Sequence, residues 1–168
     1  MLYSKRTVKS RSNAGLLEKA KAYAFLLLKF RLRSEEEIRS RMKQKKFPPE
    51  VIGGTVDFLK EKKFIDDEAF TRAWMDSRLK RAMGLRRVKN ELKHKGVRAS
   101  VIDQSVAAVK EGYNEEEVVA ELIRHKLRAL KGPDIQKVKQ RIYAFLIRRG
   151  FSPDVIVDNL NQILKDES

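Results

Sequence analysis

Residues 34–59 read SEEEIRSRMKQKKFPPEVIGGTVDFL, and two helices with the break between them are written in that stretch. Ser34 followed three residues on by Glu37 has the form of a capping box, in which each side chain satisfies an amide at the start of a helix. Ile38 and Met42 are then spaced i and i+4, and Ile52, Val56 and Leu59 i, i+4 and i+7, so each segment carries one apolar face at the helical period. Between them, Pro48-Pro49-Glu50 puts proline where a missing N–H is no loss and an acid in the first turn of the next helix.

The same pattern returns twice. At an offset of 50, Ile38, Met42, Phe47, Val51, Ile52, Val56 and Leu59 fall on Val88, Leu92, Val97, Val101, Ile102, Val106 and Val109. At an offset of 104 they fall on Ile142, Leu146, Phe151, Val155, Ile156, Leu160 and Ile163. The breaks align with the apolar positions: Gly96 and Gly150 share one position, where a helix ends and positive φ is useful, and the first copy has Lys46 there at some backbone cost. Asn114-Glu-Glu-Glu117 and Ser152-Pro153-Asp154 are further helix starts. The spacings predict helices over 16–31, 34–46, 49–62, 67–82, 85–95, 99–111, 115–130, 134–149 and 153–165, and no stretch alternates like a strand.

The expected fold is therefore all-α, a tandem array of three three-helix repeats over 16–64, 65–113 and 114–168, preceded by a flexible basic arm over 1–15 that holds Lys5, Arg6, Lys9 and Arg11. Three short helices bury little alone, so neighbouring repeats are expected to stack into an elongated, curved array. The last copy has four extra residues near Lys131-Gly-Pro-Asp134, about one helical turn.

The chain has 168 residues, of which 38 are Lys or Arg and 23 Asp or Glu, a net charge of +15 that points to a polyanionic partner. Residues 1–66, 67–112 and 113–168 carry +9, +5 and +1, so the charge is concentrated in the first two repeats. Lys45, Lys95 and Arg149 share one repeat position, and Lys43 and Lys93 another. With Arg86, Arg87, Lys89 and Arg98 they make a cluster around the second helix of the middle repeat, the expected contact surface being Lys43, Lys45, Arg86, Arg87, Lys89, Lys93, Lys95 and Arg98.

Catalytic groups, metal ligands and cofactor sites are not expected. There is no Cys, which removes disulfides and thiolate metal sites and suits a reducing compartment. His94 and His125 each stand between two cations, a setting that repels a metal ion. Asp66-Asp67 could serve a Mg²⁺-dependent nuclease only with further acids, and is expected instead to cap the helix beginning near Glu68. Gly53-Gly54 has no preceding strand and no phosphate-loop sequence, so close helix packing is the expected reason for the pair. Phe70 and Trp74, i and i+4, are expected in the core rather than as a base-stacking platform. The longest apolar run, Ala22 to Leu28, is far below the roughly 18–20 residues that cross a bilayer, and residues 1–13 lack the apolar stretch of a secretory signal, so a soluble protein is expected.

Phe64-Ile65-Asp66-Asp67-Glu68-Ala69-Phe70, followed by Trp74, Arg78, Gly84, Arg87-Val88, Glu91-Leu92 and Lys95-Gly96-Val97, resembles the central signature of the bacterial RecX family, and Ser34-Glu35-Glu36-Glu37-Ile38 resembles the start of its second helix. The sequence departs from that pattern at Thr71, where a small apolar residue is common, and at Lys46, where Gly is usual. The resemblance implies a non-enzymatic, monomeric, cytoplasmic regulator of homologous recombination, DNA repair and the SOS response. Its partners would be the RecA recombinase filament and single- and double-stranded DNA, with no membrane and no cofactor. It would bind the groove of the filament and inhibit or modulate ATPase and strand exchange. The basic cluster leaves a second reading open, an autonomous helical DNA- or RNA-binding protein.

Overall fold

The computed structural model describes the backbone of residues 4–129 and 134–166 and the side chains of 14–129 and 134–165. Among the described residues there are nine helices and no strand: α1 (Ser4–Phe30), α2 (Glu35–Gln44), α3 (Pro49–Glu61), α4 (Asp67–Leu79), α5 (Leu85–His94), α6 (Ala99–Lys110), α7 (Glu115–Ala129), α8 (Ile135–Arg149) and α9 (Pro153–Asp166). They form three three-helix repeats in tandem. Of the 21 apolar positions that align between the copies, 18 are buried, and Phe47, Val109 and Val155 are half-buried, so the repeat is a repeat of core positions.

The largest difference from expectation is at the amino terminus, where residues 4–15, expected to form an arm, are the first turns of α1. The segment lacks an apolar period and more than half of it is Ser, Thr, Val, Asn or Gly, so its helix rests on the low cost of extending one that already exists. The side chains of Lys5, Arg6, Lys9 and Arg11 lie outside the described residues.

The chain packs as two units, Met1–Thr71 with His94–Val101, and Arg72–Lys93 with Ile102–Ser168. In the first, Ala20 and Ala24 of α1 meet Ile38 and Met42 of α2 and Val51, Ile52, Val56 and Leu59 of α3. Leu17 lies beside Gly54, the Lys21 ammonium over the Phe58 ring, and Phe25 against Phe64, so α1 and α3 run parallel and finish at the same end. In the second, Val119 and Ile123 of α7, Val138, Ile142 and Leu146 of α8, and Ile156, Leu160 and Ile163 of α9 close around Phe151.

Each unit contains the same linkage between successive repeats. In the first, the Ser34 hydroxyl donates to the carbonyl of Lys95 at 2.5 Å, and the Asp67 carboxylate accepts from the amide of Glu35 at 2.8 Å. In the second, the Gly84 amide donates to the carbonyl of Arg149 at 2.9 Å, and the Glu115 carboxylate accepts from the amide of Leu85 at 3.3 Å. The end of one repeat's second helix thus sits on the start of the preceding repeat's second helix, and an acid from the intervening first helix caps that start. Gly96 (φ 74°) and Gly150 (φ 88°) let the chains approach, since a Cβ would overlap Glu36 at the former and Arg87 at the latter. Lys46, at the equivalent position of the first repeat, adopts φ 61° despite its side chain.

Ser34 and Glu37 form the expected capping box, and Asn114 caps α7 through the amides of Glu116 and Glu117. The packing reason for Gly53-Gly54 is not met: nothing lies within 4 Å of a Cβ on Gly53, and Gly54 has only an ordinary contact with Leu17 at 3.6 Å. Phe70 is in the core, whereas Trp74 is half-buried and the adjacent Met75 takes the buried position.

Candidate functional site

The eight cations named above fall in both packing units. In the second unit, Leu85, Val88 and Leu92 of α5 face inward and Arg86, Asn90 and Lys93 outward, the result of an apolar period interleaved with basic residues. Arg87 and Lys89 have protein partners. Arg87 donates from Nε to Glu91 Oε1 at 3.0 Å and from a terminal nitrogen to the Arg148 carbonyl at 3.0 Å, and the Lys89 ammonium meets Asp103 at 3.3 Å. Glu91 also accepts from Arg78 Nε at 2.7 Å and Trp74 Nε1 at 3.1 Å, and the Arg78 guanidinium lies 4.0 Å from the centre of the Trp74 ring. Burial pushes the Glu91 carboxyl up, but hydrogen bonds from Arg78 and Arg87 hold it below the usual carboxylate range. Trp74, Arg78, Arg87 and Glu91, all in the signature stretch, are one network that fixes α4 against α5.

In the first unit, Lys43 and Lys45 are exposed at the end of α2, the Lys45 ammonium 5.7 Å from the centre of the Tyr23 ring. Lys95 differs: its side chain is 17% exposed and its ammonium meets Glu37 at 3.0 Å. Glu37 also receives Arg31 at 2.7 Å. Burial raises the Glu37 carboxyl, and the hydrogen bonds from Arg31 and Lys95 outweigh it and hold the pKa down to about 2. Arg98 is exposed, and its charge acts on Asp67.

The two adjacent carboxylates have separate tasks. Asp66 caps α4, accepting from the amides of Glu68 at 2.8 Å and Ala69 at 3.0 Å, as expected, while Asp67 caps α2. Lys60 and Arg98 share their hollow and supply positive charge beside them. Among the described residues no three His, Cys, Asp or Glu groups converge as metal ligands, and no helix is long and apolar enough to cross a membrane. His94 and His125 are both exposed. Thr71, the departure from the family pattern, is buried and donates its hydroxyl to the Asp67 carbonyl at 2.6 Å, which suits it to an apolar position.

Sequence reasoning missed the exposed rings of Phe25, Phe30 and Phe64 in the first unit. No sequence signal marks them: Lys-Lys-Phe occurs at 62–64 but also at 45–47, where Phe47 packs against the core, and Phe25 lies in, and Phe30 just beyond, an apolar run that reads as buried.

Models of the three helical domains of RecX match in tandem, the first over residues 20–59, the second over 66–106 and the third over 114–158. A regulatory protein RecX from Streptomyces coelicolor is 30% identical over 165 residues, covering 98% of this chain and 87% of the relative. Another from Mycobacterium sp. (strain JLS) is 35% identical over 147 residues, covering 84% and 79%. The crystal structure of RecX from Lactobacillus salivarius has the same fold, with a TM-score of 0.75 at 17% identity over 89% of this chain and 97% of that one.

Proposed function

The chain belongs to the RecX family of regulatory proteins, and from that premise we propose that it regulates a RecA-type recombinase by binding the groove of the recombinase filament on DNA and restraining its ATPase and strand exchange. The observation that carries this reading is the outward face of α5, where Arg86 and Lys93 stand exposed about two turns apart on a helix whose opposite face is buried. Lys43, Lys45 and Arg98 add exposed charge in the first unit, while Arg87, Lys89 and Lys95 position the helices that carry the exposed set.

The mechanism is steric and electrostatic. A chain of net charge +15 is drawn to the filament's phosphates and acidic surface, and a helical array seated there excludes a second DNA strand and alters contact between recombinase protomers. No bond is made or broken by this chain, and it acts as a monomer in the cytoplasm. The test is the recombinase's DNA-dependent ATPase and strand exchange with this protein titrated in; unchanged rates at saturation would refute the reading. Autonomous nucleic-acid binding is the second reading, favoured by the same exposed cations. Tight, salt-steep binding to naked DNA without a gain on adding recombinase would support it instead.

A further inference from the structure

The end of the first packing unit where α1 and α3 both finish is apolar and basic at once. Phe25 and Phe64 meet edge to face at 4.9 Å between ring centres and remain 37% and 49% exposed, and Phe30, about one and a half turns beyond Phe25, is 76% exposed. Each of the two most exposed rings directly follows a cation: Lys29 precedes Phe30, and Lys62-Lys63 precede Phe64. Lys62 and Lys63 are both exposed, Lys62 sharing its charge with the exposed Glu61 at 3.2 Å, and Lys63 has the positive φ, 56°, that Lys46 and Ala82 also adopt just past helix ends.

We propose that this end is a binding site for single-stranded nucleic acid, with Phe30 and Phe64 stacking on bases and Lys29, Lys62 and Lys63 holding phosphates. Rings stack on any base, and flanking ammonium groups follow the backbone of the same strand. A second copy of the chain would oppose lysines to lysines. An apolar peptide helix would need a continuous groove, and Lys29, one turn on from Phe25, interrupts that face. The site deepens the proposed function by adding a nucleic-acid contact on the first repeat, and it rests on that reading only in taking nucleic acid as a partner.

The experiment is a titration of the full-length protein, without recombinase, against a fluorescein-labelled oligo-dT over a range of salt. Phe30→Ala with Phe64→Ala should weaken binding about tenfold or more while leaving the salt slope in place. Lys62→Ala with Lys63→Ala should weaken it and reduce the slope by about 1.4, the effect of two phosphates on a single strand. Phe30→Ala alone, at a ring exposed enough to spare the fold, should show part of the loss with unchanged circular dichroism. Wild-type affinity in the Phe variants overturns the proposal, and if those variants also fail to sediment with recombinase filaments, the occupant is protein. Retained filament inhibition with no oligo-dT binding by the wild type overturns this site and leaves the filament reading standing.

Discussion

The amide of Gly84 donates to the carbonyl oxygen of Arg149 across 2.9 Å, and the two backbone segments run so close there that a Cβ on Gly84 would overlap the Gly150 carbonyl and the Phe151 amide. Backbone cannot give way as a flexible side chain does. Gly84→Ala should therefore cost stability at the upper end of about 1–3 kcal/mol, read as a fall in the urea midpoint. A midpoint equal to wild type would show that the linkage adjusts freely.

Two substitutions in the first unit should act the other way. Gly53 is inside α3 with open space where a Cβ would stand, so Gly53→Ala should add about 0.5–1 kcal/mol. Lys46 is held at φ 61°, so Lys46→Gly should relieve about 1 kcal/mol of strain. Thermal melts of the single and double variants check both gains and their additivity.

The helix ends were largely legible in the sequence, because capping is local chemistry: Ser34, Asp66, Asn114 and Gly150 each sit within three residues of the groups they satisfy. The position shared by Lys46, Gly96 and Gly150 was legible too, and all three have positive φ. What could not be read was long-range. Nothing local distinguishes Asp67, which reaches back 32 residues to Glu35, from Asp66, which reaches forward two. The same limit applies to the candidate site. The sequence placed Lys95 in the basic cluster, but only the fold brings Glu37, 58 residues away, to it, whereas the Arg87–Glu91 pair is an i, i+4 neighbour on one helix. Gly53 misled because a glycine kept for packing and one without such a reason look alike in sequence.

Glu37 contributes the largest share of the acid limb of stability, with Glu35 and Glu91 held low in the same direction. The Glu37 carboxyl titrates at about 2 in the folded protein against 4.5 ordinarily, so its contribution is present above about pH 4.5 and lost as pH falls toward 2. At its largest this amounts to about 3 kcal/mol. Asp67 and Glu115 act in the opposite sense, because burial raises both and their ionisation weakens the fold as pH rises through their folded values. Urea midpoints across the acid range should fall toward low pH in the wild type and be flatter in Glu37→Gln. An equally steep fall in the variant would assign the acid limb elsewhere.

Arg86 and Lys93 can be reversed without disturbing Glu91 or Asp103, since those acids are held by Arg78, Arg87 and Lys89. Arg86→Glu with Lys93→Glu should weaken binding to recombinase filaments and lower the salt slope by about 2, with the helical circular-dichroism signal intact. Wild-type binding would move the contact to another face.

Asp66 and Asp67 are neighbours joined by one peptide bond, yet one holds the first turn of α4 and the other the first residue of α2. Moving that short segment would expose amides from both helices in one event. Hydrogen exchange at Glu35, Glu68 and Ala69 should accordingly share a single opening free energy, one cooperative step that spans two repeats instead of one.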